Sequence, residues 1–575
     1  KQKTAYEISL GLVGSEMCIR DSYNVSPIVT DTSSPLDNFM RVDKSGEVSL
    51  KLNDTRIIPV TLVNGSASKL IEELQSIDPL KHPDELYSII WEYLKPRGGV
   101  APRAHLFTIN GLTYPLHRDF GFAAVPDPHE VKKDRQGRLK FDTNRSKRRY
   151  SMLAYLYSVR PGDLIFFFQA DPQWPEDIWN RRGFRGIWVA KSRPFRDKTT
   201  ITHPETKYEI LGECPQCHTP FNFGVEGELK KRTRGSKSKR CPICGKEYGF
   251  IPVRTYMGTR EYSRVVLSAR ILIEPVIVFK RTSGDNRVYS DMTVEPFIWI
   301  SRTDNAMGPG KGSSIRTLMP EEAAKISFML ATEDAQSIEN VEPKDYPGDT
   351  SAPIDDYNEQ PATYLRARDV RGVLVLEHEF HLNLYFAMNI DNPNSPIQRE
   401  LRIPLNSTDY WTTEFPWGYT GDTSDFVLTL WDDDKGRHTI YLFEFKKDMV
   451  DKKALAETLL YVPWVTQVLT QFRPETTEIK VYPVIVGKYI QLRFVPESYE
   501  YKIRYFTTGI TKKIIVESPI IVQYTIKRAK SLQDKAGRGA IYYVEELDLK
   551  RIDLKTKPFK PLPPIFTTTG VEKEF

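Results

Sequence analysis

Apolar residues recur at helical spacing in two stretches near the start of the chain, Leu70 to Ile77 and Leu86 to Leu94, and Pro79, Pro83 and Pro96 punctuate them. The pattern predicts two short helices. From 101 to 330 it changes to short runs of β-branched and aromatic residues: Leu164–Phe168, Gly186–Val189, Ile271–Phe279 and Pro296–Ile300. Such runs predict a mostly β region. A helix is expected from Pro320-Glu321-Glu322, because acids suit the first turn. Residues 332–363 are rich in Pro, Asp, Glu and Ser and poor in apolar residues, the composition of a boundary. Beyond it a helix at about 373–389, a helix at 452–470 and intervening strands make an α/β pattern. The last stretch reads as short strands and a Pro-rich basic tail.

This division gives a helical segment at 23–100, a β unit at 101–331, an acidic linker at 332–363, an α/β unit at 364–520 and a tail at 521–575. Residues 1–22, KQKTAYEISLGLVGSEMCIRDS, resemble a translated sequencing-adapter read that precedes unrelated open reading frames, and are expected to be an artefactual segment outside the fold.

The 575 residues carry 81 bases and 75 acids, a net charge of +6. The mild sum hides segregation. Residues 230–240 hold seven bases, residues 132–149 hold nine bases against two acids, and residues 333–359 hold nine acids against Lys344 alone. Basic surfaces of this kind suit a polyanion. The 40% hydrophobic content excludes a mostly disordered chain. No apolar run of about 18 residues predicts a membrane span.

Four of the five cysteines form Cys214-Pro-Gln-Cys217 and Cys241-Pro-Ile-Cys244, with 23 residues between the pairs. Two CxxC knuckles can offer four thiolates to one tetrahedral Zn²⁺. This is no disulfide framework, so a reducing, cytoplasmic setting is expected. The ribbon, with its basic loop, would occupy 208–250.

Three stretches flank or enclose the ribbon: HLFTINGLTYPLHRDFGFAAVP from His105, SVRPGDLIFFFQ with RGFRGIWVAKSRPFRD up to Asp197, and SARILIEPVIVF from Ser268 leading to PFIWISRTDNAMGPGKG. Together they resemble the EVE/YTH branch of the PUA-like barrel family. The resemblance implies a barrel that holds a modified or flipped base in an aromatic pocket, by stacking and by hydrogen bonds to the base edge. Candidate aromatics are Trp174 and Trp179 in a Pro-rich loop, and Trp188 and Trp299 in strands, where a core role competes. Lys311, in a glycine-rich basic loop, is the candidate phosphate contact.

The sharpest chemistry lies further on. Asp425-Phe-Val-Leu-Thr-Leu430 and Ile440-Tyr-Leu-Phe-Glu-Phe-Lys446 read as two strands around an Asp432-Asp-Asp-Lys-Gly436 turn. Folding this hairpin between Asp434 and Lys435 sets Asp425 opposite Glu444, and strand alternation puts Lys446 on the same face as Glu444. Two facing carboxylates repel unless a cation lies between them, and hard oxygen ligands suit Mg²⁺. Lys446 is then placed to orient or deprotonate a water and to stabilise charge on phosphate.

This stretch resembles the PD-(D/E)XK nuclease superfamily, in particular the RecB-like domain of NucS-type endonucleases. The helix Ala454-Leu-Ala-Glu-Thr-Leu-Leu-Tyr-Val-Pro-Trp464 and the strand IKVYPVIV at Ile479–Val486 carry the likeness onward. The resemblance implies a further acid on an upstream helix. Glu379 is the choice and Glu377 the runner-up. The family's usual glutamine and arginine in the later helix fall here at Glu457 and Leu460.

The expected fold is therefore a multidomain α+β chain: a PUA-like β-barrel with an inserted four-cysteine zinc ribbon, then an α/β restriction-endonuclease-like domain with a mixed central sheet. The expected activity is a modification-dependent DNA endonuclease of the restriction, defence-system type. It would use catalytic Mg²⁺ and structural Zn²⁺, with DNA as partner and a homodimer able to cut both strands. The alternatives are a non-catalytic RNA- or DNA-binding protein on a degenerate nuclease fold, and a NucS-like nuclease for mismatched or branched DNA.

Overall fold

The computed structural model describes residues 40–42, 48–52, 56–60, 67–94, 101–110, 113–125, 131–133, 139–141, 143–171, 183–197, 201–203, 208–210, 239–240, 247–248, 251–255, 258–262, 267, 269–284, 315–332, 338–346, 365–405, 408–417, 422–432, 436–470, 473, 475–504, 510–533 and 540–558. The chain is a mixed α/β protein, mostly strands, organised around two large sheets.

The two N-terminal helices are α1 (Ala67–Ser76) and α2 (Pro83–Leu94). Pro83 opens α2 with Asp84 and Glu85 in its first turn, a composition that suits a helix start. Leu86, Ile90 and Leu94 then fall one turn apart and are buried. The N-terminal sheet contains β1 (Ala104–Asn110), β2 (Leu164–Asp171), β3 (Gly183–Ala190), β4 (Ala269–Gly284) and β5 (Ile315–Leu318), in the order β4-β3-β2-β1-β5. Phe122–Val125 and Phe195–Arg196 both pair with β4. Among the described strands of this sheet, β1 and β2 are the parallel pair, and the helix α3 (Thr143–Ser158) lies in the crossover that parallel neighbours require. That helix lies inside a stretch read from sequence as strands and turns. Its last turns, Tyr150 to Ser158, are buried and too aromatic to advertise a helix.

The strand β3 needs a glycine at 186. Its φ is +152°, and a Cβ there would collide with the Ile277 carbonyl oxygen and stand 2.9 Å from Val278 Cα, where the β3–β4 register slips. After β5 comes α4 (Pro320–Thr332), which packs on α2 and joins the N-terminal helices to the same core.

The expected linker is in part a packed segment. Ile338 bridges to Phe279, Glu339 pairs with Arg118 at 2.9 Å, and the Tyr346 hydroxyl bonds Asp197 and receives a bond from Arg270. These contacts with Phe279, Arg118, Asp197 and Arg270, which composition cannot register, hold 338–346 on the N-terminal sheet.

Among the described residues, the C-terminal sheet has ten strands. They include β6 (Arg366–Val370), β7 (Val373–Leu376), β8 (Thr408–Trp417), β9 (Asp422–Asp432), β10 (Arg437–Val450), β11 (Glu478–Ile490), β12 (Ile520–Gln533) and β13 (Ala540–Ile552). The order β7-β6-β13-β12-β11-β10-β9-β8 is mixed: β10, β11 and β12 run parallel and the outer pairs antiparallel. Helix α5 (Phe380–Asn389) covers one face and α6 (Lys452–Thr470) the other. Two expectations change here. Val373–Leu376 is a strand of the β6–β7 hairpin, so the helix expected from 373 starts only at Phe380. The stretch expected as a tail from 521 supplies the central strand β12 and its partner β13. Periodicity alone could not place them beside β11, because pairing partners are a tertiary matter.

The two sheets are fused by a buried interface. Arg160 makes a bidentate pair with Asp391 at 2.7 and 2.9 Å and donates to the Ala387 carbonyl at 2.8 Å, while Arg193 reaches Asp391 at 2.7 Å. Burial would raise the Asp391 carboxyl, but the two guanidinium groups outweigh it and hold it well below the usual carboxylate range. Arg103 lies 3.7 Å over the Trp411 ring and donates to the Trp411 carbonyl at 3.3 Å. One apolar core runs without a break from Phe107 and Tyr155 to Phe386 and Phe443. Among the described residues, no helix is long and apolar enough to cross a membrane.

Candidate active site

The β9–β10 hairpin pairs Phe426 with Phe443 through Asp432 with Arg437, the register that folding between Asp434 and Lys435 predicts. Asp425 and Glu444 are the next facing positions. There Asp425 Oδ2 accepts a bond from the Phe445 backbone N–H at 2.6 Å. Phe443 and Phe445 point at α5, where both contact Phe386. Strand alternation sends Glu444 and Lys446 to the opposite face, beneath α6.

On that face the Lys446 ammonium donates to Glu444 Oε1 at 2.6 Å and to Glu457 Oε2 at 2.9 Å. Glu444 is only 5% exposed, and its other oxygen, Oε2, has no hydrogen-bond partner. Glu379 takes the N-cap position of α5, yet its side chain makes no capping bond. Its charge acts on both Asp425 and Glu444.

Electrostatics follow from this crowding. Burial, then the Glu444 charge, pushes the Asp425 carboxyl well above its ordinary range, with Glu379 adding to the effect. Burial is also the main cause for Glu444. Lys446 offsets part of it, Glu457 and Glu379 add to it, and the carboxyl is pushed up to about 7. For Lys446, burial opposes the ammonium, but Glu444 and Glu457 outweigh that and raise it. Lys446 is therefore held as a cation and has no free pair with which to deprotonate water.

Glu377, the alternative third acid, is half-buried and raised by burial, with Arg366, Arg368 and Lys447 acting against the shift. Glu379, not Glu377, is among the largest influences on Asp425 and Glu444. His381 is fully buried, with its ring 4.2 Å from that of Tyr150, and burial lowers it well below the ordinary histidine range. His438 lies in a separate buried network with Asp409 at 3.1 Å and Arg473 at 2.6 Å.

Glu457 is the member of the cluster that motif reading treated as a departure. The signal was its position: a helix starting at 452, straight after the Lys446 strand, brings its second turn back over that strand's end. Of the aromatics proposed for base binding, Trp188 is 1% exposed and packs edge-on against Tyr114 and Phe167. It is a core residue in this structure, as expected for a large aromatic in a strand buried along its whole length. Trp174, Trp179, Trp299, Lys311 and the four zinc-ribbon cysteines Cys214, Cys217, Cys241 and Cys244 lie outside the described residues.

Among the described residues, no group of three or more His, Cys, Asp or Glu side chains forms a metal cage. Mg²⁺ asks for less, since it keeps several waters and is commonly bound by one or two carboxylates plus substrate phosphate. The unpartnered Glu444 Oε2 and the mutual repulsion of Asp425 and Glu444 fit a hydrated divalent cation. No family model matches the chain, and no curated protein matches it.

Proposed function

We propose that this chain is a Mg²⁺-dependent DNA endonuclease of restriction type, whose N-terminal half, a PUA-like barrel with a zinc ribbon, reads a modified base. The observation that supports it most directly is the convergence of Asp425, Glu444 and Lys446 from paired strands, with Glu379 acting on both acids. A solvated hairpin would not bury Glu444, leave one of its oxygens unpartnered and clamp a lysine over the other.

Asp425 and Glu444 would hold the cation, with the Glu379 charge acting on both. Mg²⁺ bound there supplies Lewis acidity toward a phosphodiester oxygen and acidifies water. Lys446, kept protonated by Glu444 and Glu457, orients the attacking water and faces the negative charge that grows on the phosphoryl oxygens. Proton removal falls to a carboxylate or to solvent, because Lys446 stays charged. The Arg160–Asp391 and Arg103–Trp411 contacts fasten the proposed reader to the far end of the helix that Glu379 caps and to β8, the strand paired with the one that bears Asp425. Cleavage then falls at a fixed distance from the base that is read.

The test sets the full chain and its Lys446→Ala variant against unmodified DNA, DNA with modified cytosine or adenine, mismatched DNA and RNA, with and without Mg²⁺. Cleavage restricted to modified DNA, dependent on Mg²⁺ and lost in the variant, is the expected result. Binding without cleavage by the wild type would replace this reading with a non-catalytic binding protein.

A further inference from the structure

Just beyond Lys446 the sheet departs from regularity. The parallel pairing of β10 with β11 is even from Arg437↔Glu478 to Lys446↔Gly487, then slips before resuming at Met449↔Tyr489. Lys447 falls inside the slip. A slip leaves main-chain groups without their ladder partners, and each such group needs another one.

Two residues outside the catalytic hairpin answer to this slip. The first is Gly487, paired with Lys446. A Cβ built there would stand 2.5 Å from Val450 Cγ2 and 3.2 Å from the Lys446 carbonyl oxygen. Val450 is fully buried and the carbonyl is backbone, so neither can move aside cheaply. The second is Tyr524 on β12, one strand beyond β11, next to Gln523, which pairs with Gly487. Tyr524 is fully buried. Its hydroxyl donates to the Lys447 carbonyl and accepts from the Leu376 N–H at 3.3 Å. Leu376 closes β7, and the chain runs from it directly into Glu377, His378 and Glu379.

We infer that Tyr524, with Gly487, is a positioning residue: one hydroxyl joins the backbone just after Lys446 to the backbone just before Glu379, and fixes the separation between the ammonium and the third acid. The inference rests on the nuclease reading of this cluster, and it names a component that neither motif nor spacing marks. Tyr524 touches none of the reacting groups. It acts through two main-chain bonds, both to segments that carry site residues. Without the hydroxyl, the Leu376 N–H and the Lys447 carbonyl both lose a buried partner. The β7–α5 turn is then free to drift from β10, and Glu379 with it.

The experiment uses the full chain as wild type, Tyr524→Phe, Gly487→Ala and Lys446→Ala. Substrates are plasmid DNA unmodified or carrying 5-methylcytosine, 5-hydroxymethylcytosine or N6-methyladenine, with Mg²⁺. Tyr524→Phe keeps the ring and the packing and removes only the bridge. It should lower kcat by roughly 10- to 100-fold, the range expected when a reacting group is misplaced by about 1 Å, while KM stays unchanged. A purely structural loss would instead reduce the active fraction and the melting temperature together. Hydrogen exchange should quicken at the Leu376 amide and across 444–450. Unchanged kcat in Tyr524→Phe on a substrate the wild type cuts overturns the inference. Should the wild type cut none of these DNAs, the nuclease reading falls, and exchange alone then judges the bridge: unaltered protection at Leu376 overturns it. Should Tyr524→Phe not fold, Gly487→Ala reads the same slip with Tyr524 in place, and full activity there overturns the inference.

Discussion

Replacing Glu444 by Gln should make the metal-free protein more stable while removing its activity. The ionised Glu444 carboxylate is held where burial, Glu457 and Glu379 all oppose its charge, and its proton affinity moves from an ordinary value near 4.5 to about 7. At about 1.4 kcal/mol for each tenfold change, that strain amounts to roughly 3 kcal/mol in the ionised state, with the help of Lys446 already included. A carboxyl raised in the folded state binds its proton more tightly there than in the unfolded chain. Its contribution is therefore most favourable below about 4.5, declines as pH climbs, and is lost above about 7. Gln imitates the protonated form at every pH. The variant should thus exceed wild type by up to about 3 kcal/mol at pH 8 and match it near pH 4.5. Urea unfolding without divalent ions, at both pH values, measures the difference. Adding Mg²⁺ should narrow the gap at pH 8 by stabilising only the wild type. A Gln variant less stable than wild type at pH 8, or one showing the same difference at both pH values, would refute the reasoning: Glu444 would then be a satisfied structural acid.

Other consequences can be measured separately. Cleavage should rise with pH, because Glu444 must be ionised to hold a cation and burial pushes its carboxyl up to about 7; a flat pH–rate profile from 5.5 to 8.5 contradicts the assignment. Asp391→Ala removes the carboxylate paired with the buried Arg160 guanidinium, so it should cost about 3–5 kcal/mol in unfolding and spread the cut positions relative to the modified base. Zinc should be present at one ion per chain by metal analysis, and Cys214→Ser with Cys241→Ser should abolish it; a zinc-free wild type would remove the ribbon.

Within the C-terminal sheet, sequence alone carried the local parts. Alternation along Ile440–Lys446, and turn residues placed symmetrically before it, set which side chains share a face and where the hairpin folds, because both depend on neighbours a few residues away. The helix over α6 and the buried four-residue rhythm of α2 were legible for the same reason. Tertiary structure alone decided that Glu457 would meet Lys446, that Tyr524 would reach from a supposed tail to the strand carrying the lysine, and that part of an acidic linker would pack as a strap on the first sheet. It also decided how strongly Glu444 holds its proton. These outcomes depend on which surfaces are withdrawn from water and which charges are brought together. Those quantities arise only when segments distant in the chain are packed, and they have no counterpart in the spacing of residues along it.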